Sequence, residues 1–209
     1  TGLSTHELNL PGAYKEVRDT TVAALFKVIH DENAASLFDS PEEDVRFAAW
    51  TTTPWTFPSN TALAVGPNIK YVKIKTFNPY TAEPQSMILA KDLVNNWFKA
   101  EGLDAEMIYT PTDKVVPYQI VKSFKGKDLA FIKYEQLLPY VQPEEGDAFR
   151  VIVGDFVTTS DGTGIVHIAP SFGADDRRVA MANGIGSLTL VDRQGKFVDE
   201  VGPFGGRYV

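Results

Sequence analysis

Short apolar runs, punctuated by Gly, Pro, Asn and Asp, dominate the chain. Runs of that length, rich in β-branched and aromatic residues, read as strands. They predict strands over 22–29 (apolar Leu25, Phe26 and Val28), 46–53, 62–65, 86–90 and 149–157, and a buried strand over 164–169 that carries His167. Over 71–77 apolar residues alternate with lysine (Val72, Lys73, Ile74, Lys75), the period-two pattern of a half-buried strand. Shorter strands are expected at 107–109, 119–124, 130–134, 187–191 and 196–198. Helical spacing is rare. Leu93, Val94, Trp97 and Phe98 repeat at three and four residues, predicting a helix over 91–101 that Gly102 stops, and a second helix is expected over 172–183 with a glycine cap at Gly184. Residues 1–20 read as an extended segment, and 30–44, the acidic 141–146 and the tail 202–208 as loops. Strands outnumber helices without alternating with them, which argues for a mainly β barrel or sandwich with a few packed helices.

No repeat, low-complexity segment or Gly/Ser linker divides the 209 residues, so one domain is expected over 1–209. Apolar residues make up 44% and charged residues 22%, the balance of a globular core. No apolar run approaches the roughly 18 residues of a membrane span, and no basic-then-apolar leader opens the chain. The absence of cysteine excludes disulfides and thiolate zinc sites and is compatible with a cytoplasmic protein. A net charge of −7 argues against a global basic field for nucleic acid; a short end would have to be gripped by local groups.

There is no phosphate-binding Gly-x-x-x-x-Gly-Lys-Ser/Thr loop, no His-Glu-x-x-His pair and no Gly-x-Ser-x-Gly elbow. The three histidines, His6, His30 and His167, have no ligand spacing, so no metal is expected. Two stretches hold candidate chemistry. In the first, Thr51, Thr52 and Thr53 lie between Trp50 and Trp55, and Pro54 ends the strand at once. Threonine is favoured in strands for its own sake. Yet a strand that ends in hydroxyls, with Thr51 and Thr53 on one face, also presents donors and acceptors to a ribose or a carbonyl. Asn60, after Pro58 and Ser59, is a turn residue or a substrate contact. The second stretch runs from Asp161 to Asp176 through a Gly-rich turn, the His167 strand, a proline break and a helix start. A histidine among aliphatic residues is most often packed core, and Asp175 and Asp176 fit helix capping. Both His167 and Asp176, however, leave one strand–loop–helix unit and are able to line one cavity. Lys122, Lys125 and Lys127, around Phe124, read as a solvated basic face or a phosphate contact.

The stretch from Trp50 to Gly66 (Trp-Thr-Thr-Thr-Pro-Trp-Thr-Phe-Pro-Ser-Asn-Thr-Ala) and that from Gly162 to Asp176 (Gly-Thr-Gly-Ile-Val-His-Ile-Ala-Pro-Ser-Phe-Gly-Ala-Asp-Asp) closely resemble the editing domain of isoleucyl-tRNA synthetase, a class I enzyme. The valyl enzyme usually has Thr-Thr-Arg-Pro-Glu at the first motif. The resemblance covers the whole chain, including Tyr14 to Asp19 and Val191 to Phe197, with 78–150 matching in general character only. It implies an α+β, mainly β fold: a distorted β-barrel core with a few surrounding helices. The His-x-Gly-His and Lys-Met-Ser-Lys-Ser signatures of amino-acid activation are absent. The resemblance therefore implies an excised editing domain, monomeric, without cofactor, whose termini return to the remainder of the parent synthetase. The implied activity is hydrolysis of valyl-tRNA(Ile) and valyl-adenylate, with a non-catalytic module for the tRNA 3′ end, or a general small-ester hydrolase, as competing readings. Thr51, Thr52 and Thr53 would line the cleft by the terminal adenosine and ester. Asp176 would hold the α-ammonium, His167 would bound the side-chain pocket or act as general base, Asn60 would support the loop or position substrate, and Trp50 would add to the same wall.

Overall fold

The computed structural model describes residues 10–12, 14, 16 and 20–209. The extended segment expected over 1–20 otherwise lies outside the described residues. Among the described residues eight strands carry the fold: β1 (Val22–Lys27), β2 (Val45–Thr51), β3 (Ala62–Val65), β4 (Lys70–Phe77), β5 (Pro84–Ala90), β6 (Gln119–Lys125), β7 (Arg150–Val153) and β8 (Ile165–Ile168). Two α-helices among the same residues accompany them, α1 (Val94–Trp97) and α2 (Ala174–Ala182). All eight strands join one sheet, ordered β6-β4-β5-β2-β8-β3-β7, with β1 on the other edge of β2.

β2 is the branch point. β1 runs antiparallel along one edge, from Val22 opposite Thr51 to Lys27 opposite Arg46. On the opposite edge, Val45, Arg46 and Phe47 pair with β5, and Trp50 then pairs with Val166 of β8, both in parallel. β8 passes to β3 and β3 to β7. Residues 131–134 close the ring. Val28 bridges Tyr134, Lys133 bridges Arg150, and the Tyr134 N–H donates to the Phe149 carbonyl at 2.9 Å. The result is a distorted barrel, with β5, β4 and β6 as an extension from β2.

Alternation along the strands sorts the side chains. Phe26, Phe47, Ala49, Leu63, Val151 and Ile165 join one buried cluster inside the ring. The opposite face of β3, β7 and β8 (Ala62, Ala64, Ile152, Ile168) packs against Ala180 of α2 and Ile185. On the extension, Val72, Ile74 and Leu89 meet Val94 and Tyr118.

Several elements are shorter than their patterns predict. β2 ends at Thr51 rather than at 53, because the backbone turns before Pro54. Beyond Val153 the chain turns at Gly154, whose carbonyl accepts from the Val157 N–H at 3.2 Å. The expected strand at 107–109 does not form, and 187–191 and 196–198 contribute only the isolated bridges Val191 to Phe197 and Lys196 to Tyr208. The helix expected over 91–101 breaks into a 3₁₀ turn (Lys91–Leu93), α1 and a second 3₁₀ turn (Ala100–Gly102). Its apolar residues serve different clusters. Leu93 enters the barrel cluster and Val94 the extension cluster, while Phe98 takes an extended backbone to reach Tyr118, with ring centroids 4.7 Å apart. Around α2 the pattern holds well, and Gly184 has the positive φ of 66° that a helix-ending glycine supplies.

The 71–77 strand also departs from its half-buried pattern. Lys73 is 0% exposed. The loop after β1 folds over it, placing Glu43 at 2.7 Å and Asp39 at 3.2 Å from its ammonium. Lys75 and Lys122 converge on Asp39 as well, at 2.7 and 2.6 Å, and these three lysines hold the Asp39 carboxyl far below the usual carboxylate range. Burial alone would raise the Glu43 carboxyl, but Lys73, Ser86 and the Asp39 N–H bring it below its ordinary value. The cluster pins a loop to the extension. Removing the buried cation strands the Glu43 charge. Urea denaturation of Lys73→Ala is expected to show a loss of about 3 kcal/mol; a loss under about 0.5 kcal/mol would mean that the cluster is not holding the loop.

Candidate functional site

β2 and β8 run parallel and end side by side, so the chain leaving each crosses the same rim of the barrel. After β2 the backbone folds back on a hydroxyl. Thr51 Oγ1 accepts the Thr53 N–H at 3.1 Å and lies 3.3 Å from Thr53 Oγ1. The two hydroxyls meet through a turn, as short hydroxyl side chains favour, rather than along a strand. Pro54 opens the 3₁₀ helix Pro54–Ser59, where its fixed φ and missing N–H cost nothing. Thr52 and Thr53 remain exposed, while Thr51, Thr56 and Phe57 are buried.

His167, two residues after Ile165, points into the barrel and is 7% exposed. Its ring packs on Phe57, with centroids 4.9 Å apart. Nε2 lies 2.7 Å from Thr56 Oγ1, and Nδ1 lies 2.9 Å from Asn60 Nδ2. The Thr56 hydroxyl donates to the Thr53 carbonyl at 2.8 Å. The Tyr134 hydroxyl donates to Asn60 Oδ1 at 2.7 Å. The threonine turn, Asn60 and His167 therefore form one hydrogen-bonded unit.

Asp176 stands in the first turn of α2, where Oδ2 accepts the Ala169 N–H at 2.9 Å. Ala169 is two residues beyond His167, so this bond fixes the carboxylate to the end of the same strand. Burial raises the Asp176 carboxyl, the Asp175 charge adds to the rise, and the Ala169 N–H opposes it. Asp175 is exposed and pairs with Arg178 at 2.8 Å. Trp55 and Phe172 meet edge to face at 5.1 Å, joining the two loops above the rim.

Trp50 is not brought to this side. It alternates with Ala49 and Thr51 and faces out, over Gly162; a Cβ there, at φ +70°, would lie 2.8 Å from its ring. Trp50, Thr51 and Thr52 line a cavity of about 290 Å³ together with Asp161, Thr163 and Ser160. Lys122 is taken up by Asp39 on the extension, and the Lys125 N–H is capped by Asp128. Among the described residues no group of three or more His, Asp or Glu side chains is placed to hold a metal ion, and no helix is long and apolar enough to cross a membrane.

No protein-family model matches the chain. Among curated proteins it is 54% identical over 220 residues to the isoleucine–tRNA ligase of Cytophaga hutchinsonii, across 100% of this chain and 19% of that enzyme. It is 52% identical over 210 residues to the isoleucine–tRNA ligase of Porphyromonas gingivalis, across 100% of this chain and 18% of that enzyme. The chain belongs to the isoleucine–tRNA ligase family. It spans about a fifth of the length of these relatives. Two solved structures share its fold. One is the leucyl-tRNA synthetase domain GlLeuRS-CP1, with a TM-score of 0.56 at 18% identity over 76% of this chain and 56% of that one. The other is the editing domain of the P. knowlesi cytosolic leucyl-tRNA synthetase, with a TM-score of 0.56 at 14% identity over 77% of this chain and 62% of that one. At such identities the likeness is one of fold: that of a synthetase editing domain.

Within this member of the isoleucine–tRNA ligase family, three contacts escape sequence reasoning. Thr56 and Phe57 sit inside the conspicuous Trp-Thr-Phe-Pro turn, whose burial is the missed signal. Tyr134 lies 74 residues from Asn60, and nothing in its own segment marks it. The burial of this unit has a measurable signature. The His167 imidazole is pushed down from 6.5 to about 4 by burial. The unfolded chain takes up that proton near pH 6.5 and the folded chain only near pH 4, so acid favours unfolding across the interval. About 3 kcal/mol of stability, fully present above pH 6.5, is lost by pH 4. Urea denaturation of the wild type and His167→Gln should show the stability gap between them narrowing by about this amount from pH 7 to pH 4. A constant gap contradicts the depressed imidazole.

Proposed function

We propose that this chain is the editing unit of a longer cytoplasmic synthetase and hydrolyses valine from mischarged tRNA(Ile), and valyl-adenylate before transfer. The discrimination problem is an established one for the family: a synthetic pocket gains only about 1–3 kcal/mol from the single methylene that separates isoleucine from valine. A second pocket that admits valine and refuses isoleucine resolves it. The observation that carries the reading is the fixed separation of tasks on one rim. A carboxylate is anchored on one strand end, a turn of hydroxyls on its parallel neighbour, and a buried imidazole ties the turn in place.

In this reading the Asp176 carboxylate, with Oδ2 held by Ala169, receives the α-ammonium of the valyl group in a charge-assisted bond. The exposed Thr52 and Thr53 hydroxyls position the ester and the ribose. No side chain has the setting of a covalent nucleophile, so a positioned water attacks the ester carbonyl. Threonine and main-chain donors face the developing oxyanion, aided by the free ribose hydroxyl. His167 is held neutral by burial with both nitrogens engaged, which favours a fixed wall of the side-chain pocket over a general base. Asn60 supports that wall from behind, and Trp50 backs the threonine turn from the outer face.

Deacylation of valyl-tRNA(Ile) and isoleucyl-tRNA(Ile) by the domain tests this directly. Valine is expected to be released and isoleucine retained. Asp176→Ala is expected to lose about 10- to 100-fold in kcat/KM for valine, and His167→Ala to begin releasing isoleucine. Binding without release favours a non-catalytic 3′-end module, and release from any small ester favours a general hydrolase; either overturns the proposal.

A further inference from the structure

The polar unit beneath the rim has a direction, and both of its ends set that direction independently. At one end, the Ala62 carbonyl lies 2.9 Å from one terminal atom of the Asn60 amide. A carbonyl only accepts, so that atom is Nδ2, and the other terminal atom, Oδ1, receives the Tyr134 hydroxyl proton. The second Nδ2 hydrogen then points at His167 Nδ1, which must offer a lone pair. At the other end, the Thr53 carbonyl accepts from Thr56 Oγ1. This commits the single hydroxyl proton of Thr56, so its oxygen accepts from His167 Nε2. Both ends require the same neutral tautomer, with the proton on Nε2. None of the four side chains is among the buried polar atoms left without a partner.

From this chain of bonds we infer that Tyr134 and Thr56 are positioning residues of the site: Tyr134 steadies the Asn60 amide, oriented by the Ala62 carbonyl, as it holds His167 in its Nε2–H tautomer, and Thr56 passes that constraint to the Thr53 carbonyl. The inference rests on the editing function proposed above for its catalytic consequence, not for the tautomer. The Tyr134 hydroxyl reaches His167 through Asn60, and burial keeps that hydroxyl protonated, so the direction does not reverse at working pH. A proton added at Nδ1 would set two N–H groups against each other. Removing the phenol hydroxyl leaves the buried Asn60 Oδ1 without its donor, and the amide, still oriented by the Ala62 carbonyl, is held less firmly. An aspartate at position 60 presents only acceptors to Nδ1 and calls a proton onto it.

Nitrogen NMR of the histidine rings at pH 7 reads the tautomer, and steady-state deacylation of valyl-tRNA(Ile) reads the consequence. The wild type is expected to carry the His167 proton on Nε2 with Nδ1 bare; this signature decides the tautomer whether or not a variant folds. Asn60→Asp is expected to place a proton on Nδ1. Tyr134→Phe, checked for folding by thermal melting, is expected to keep the proton on Nε2, which the Ala62 carbonyl and Thr56 still require, and to lower kcat about 10-fold with a smaller change in KM as the amide loosens. A wild-type ring protonated on Nδ1 overturns the inference, as does a folded Tyr134→Phe variant with unchanged kcat. Absence of deacylation in the wild type instead defeats the editing reading, and the ring signature still decides the tautomer.

Discussion

The arrangement depends on one strand having two successive neighbours along the same edge. β2 begins against β5 and ends against β8, so its first half belongs to the extension and its last residues to the barrel rim. The handover needs β5 to finish where β8 begins. Ala90, the last residue of β5, donates its N–H to the Thr163 carbonyl at 2.8 Å, and a Cβ on Gly164 would lie 2.4 Å from the Ala90 Cβ. At φ +73° and with that contact, glycine is the residue that lets both strands reach β2. Had β5 continued, β8 would have no place on β2. His167 and the threonine turn would then not share a rim.

The second constraint follows from burial. A histidine, an asparagine and a tyrosine hydroxyl inside a barrel are each costly unless bonded. Here they satisfy one another and end on a main-chain carbonyl of the exposed turn. The stable interior thus reaches the surface through polar bonds, and the turn bearing Thr52 and Thr53 is held from beneath rather than by its own packing. Asp176 is held separately, by the Ala169 N–H. The hydroxyl turn that continues β2 and the carboxylate of α2 are therefore tied to β8 by two separate bonds, at His167 and, just past the strand's end, at Ala169.

The strands of the barrel were legible because their apolar runs alternate or bury on both faces, as at 22–29, 62–65 and 164–169. The helix over 91–101 was not, since periodic apolar residues say only that several side chains are buried, and Leu93, Val94 and Phe98 are buried in different places. Lys73 misled for a related reason: its period-two pattern is the same whether the polar face meets water or the carboxylates of a distant loop. For the site, residue type and local order drew attention to the threonines, Asn60, His167 and Asp176. They did not give the face on which Trp50 lies, which needs the strand's register. Tyr134 was out of reach, because its contact with Asn60 exists only once residues 131–134 close the ring.

The central claim is that the carboxylate on α2 and the hydroxyl turn after β2 grip one aminoacyl ester between them. A crystal structure of the domain with valyl-adenosine whose ester oxygen is replaced by nitrogen, and which therefore resists hydrolysis, tests it most directly. The account predicts the valyl ammonium within hydrogen-bonding distance of Asp176, the acyl carbonyl beside the Thr51–Thr53 turn, and the valine methyl groups toward His167. An analogue bound with its ammonium away from Asp176, or on the extension rather than the rim, would contradict it.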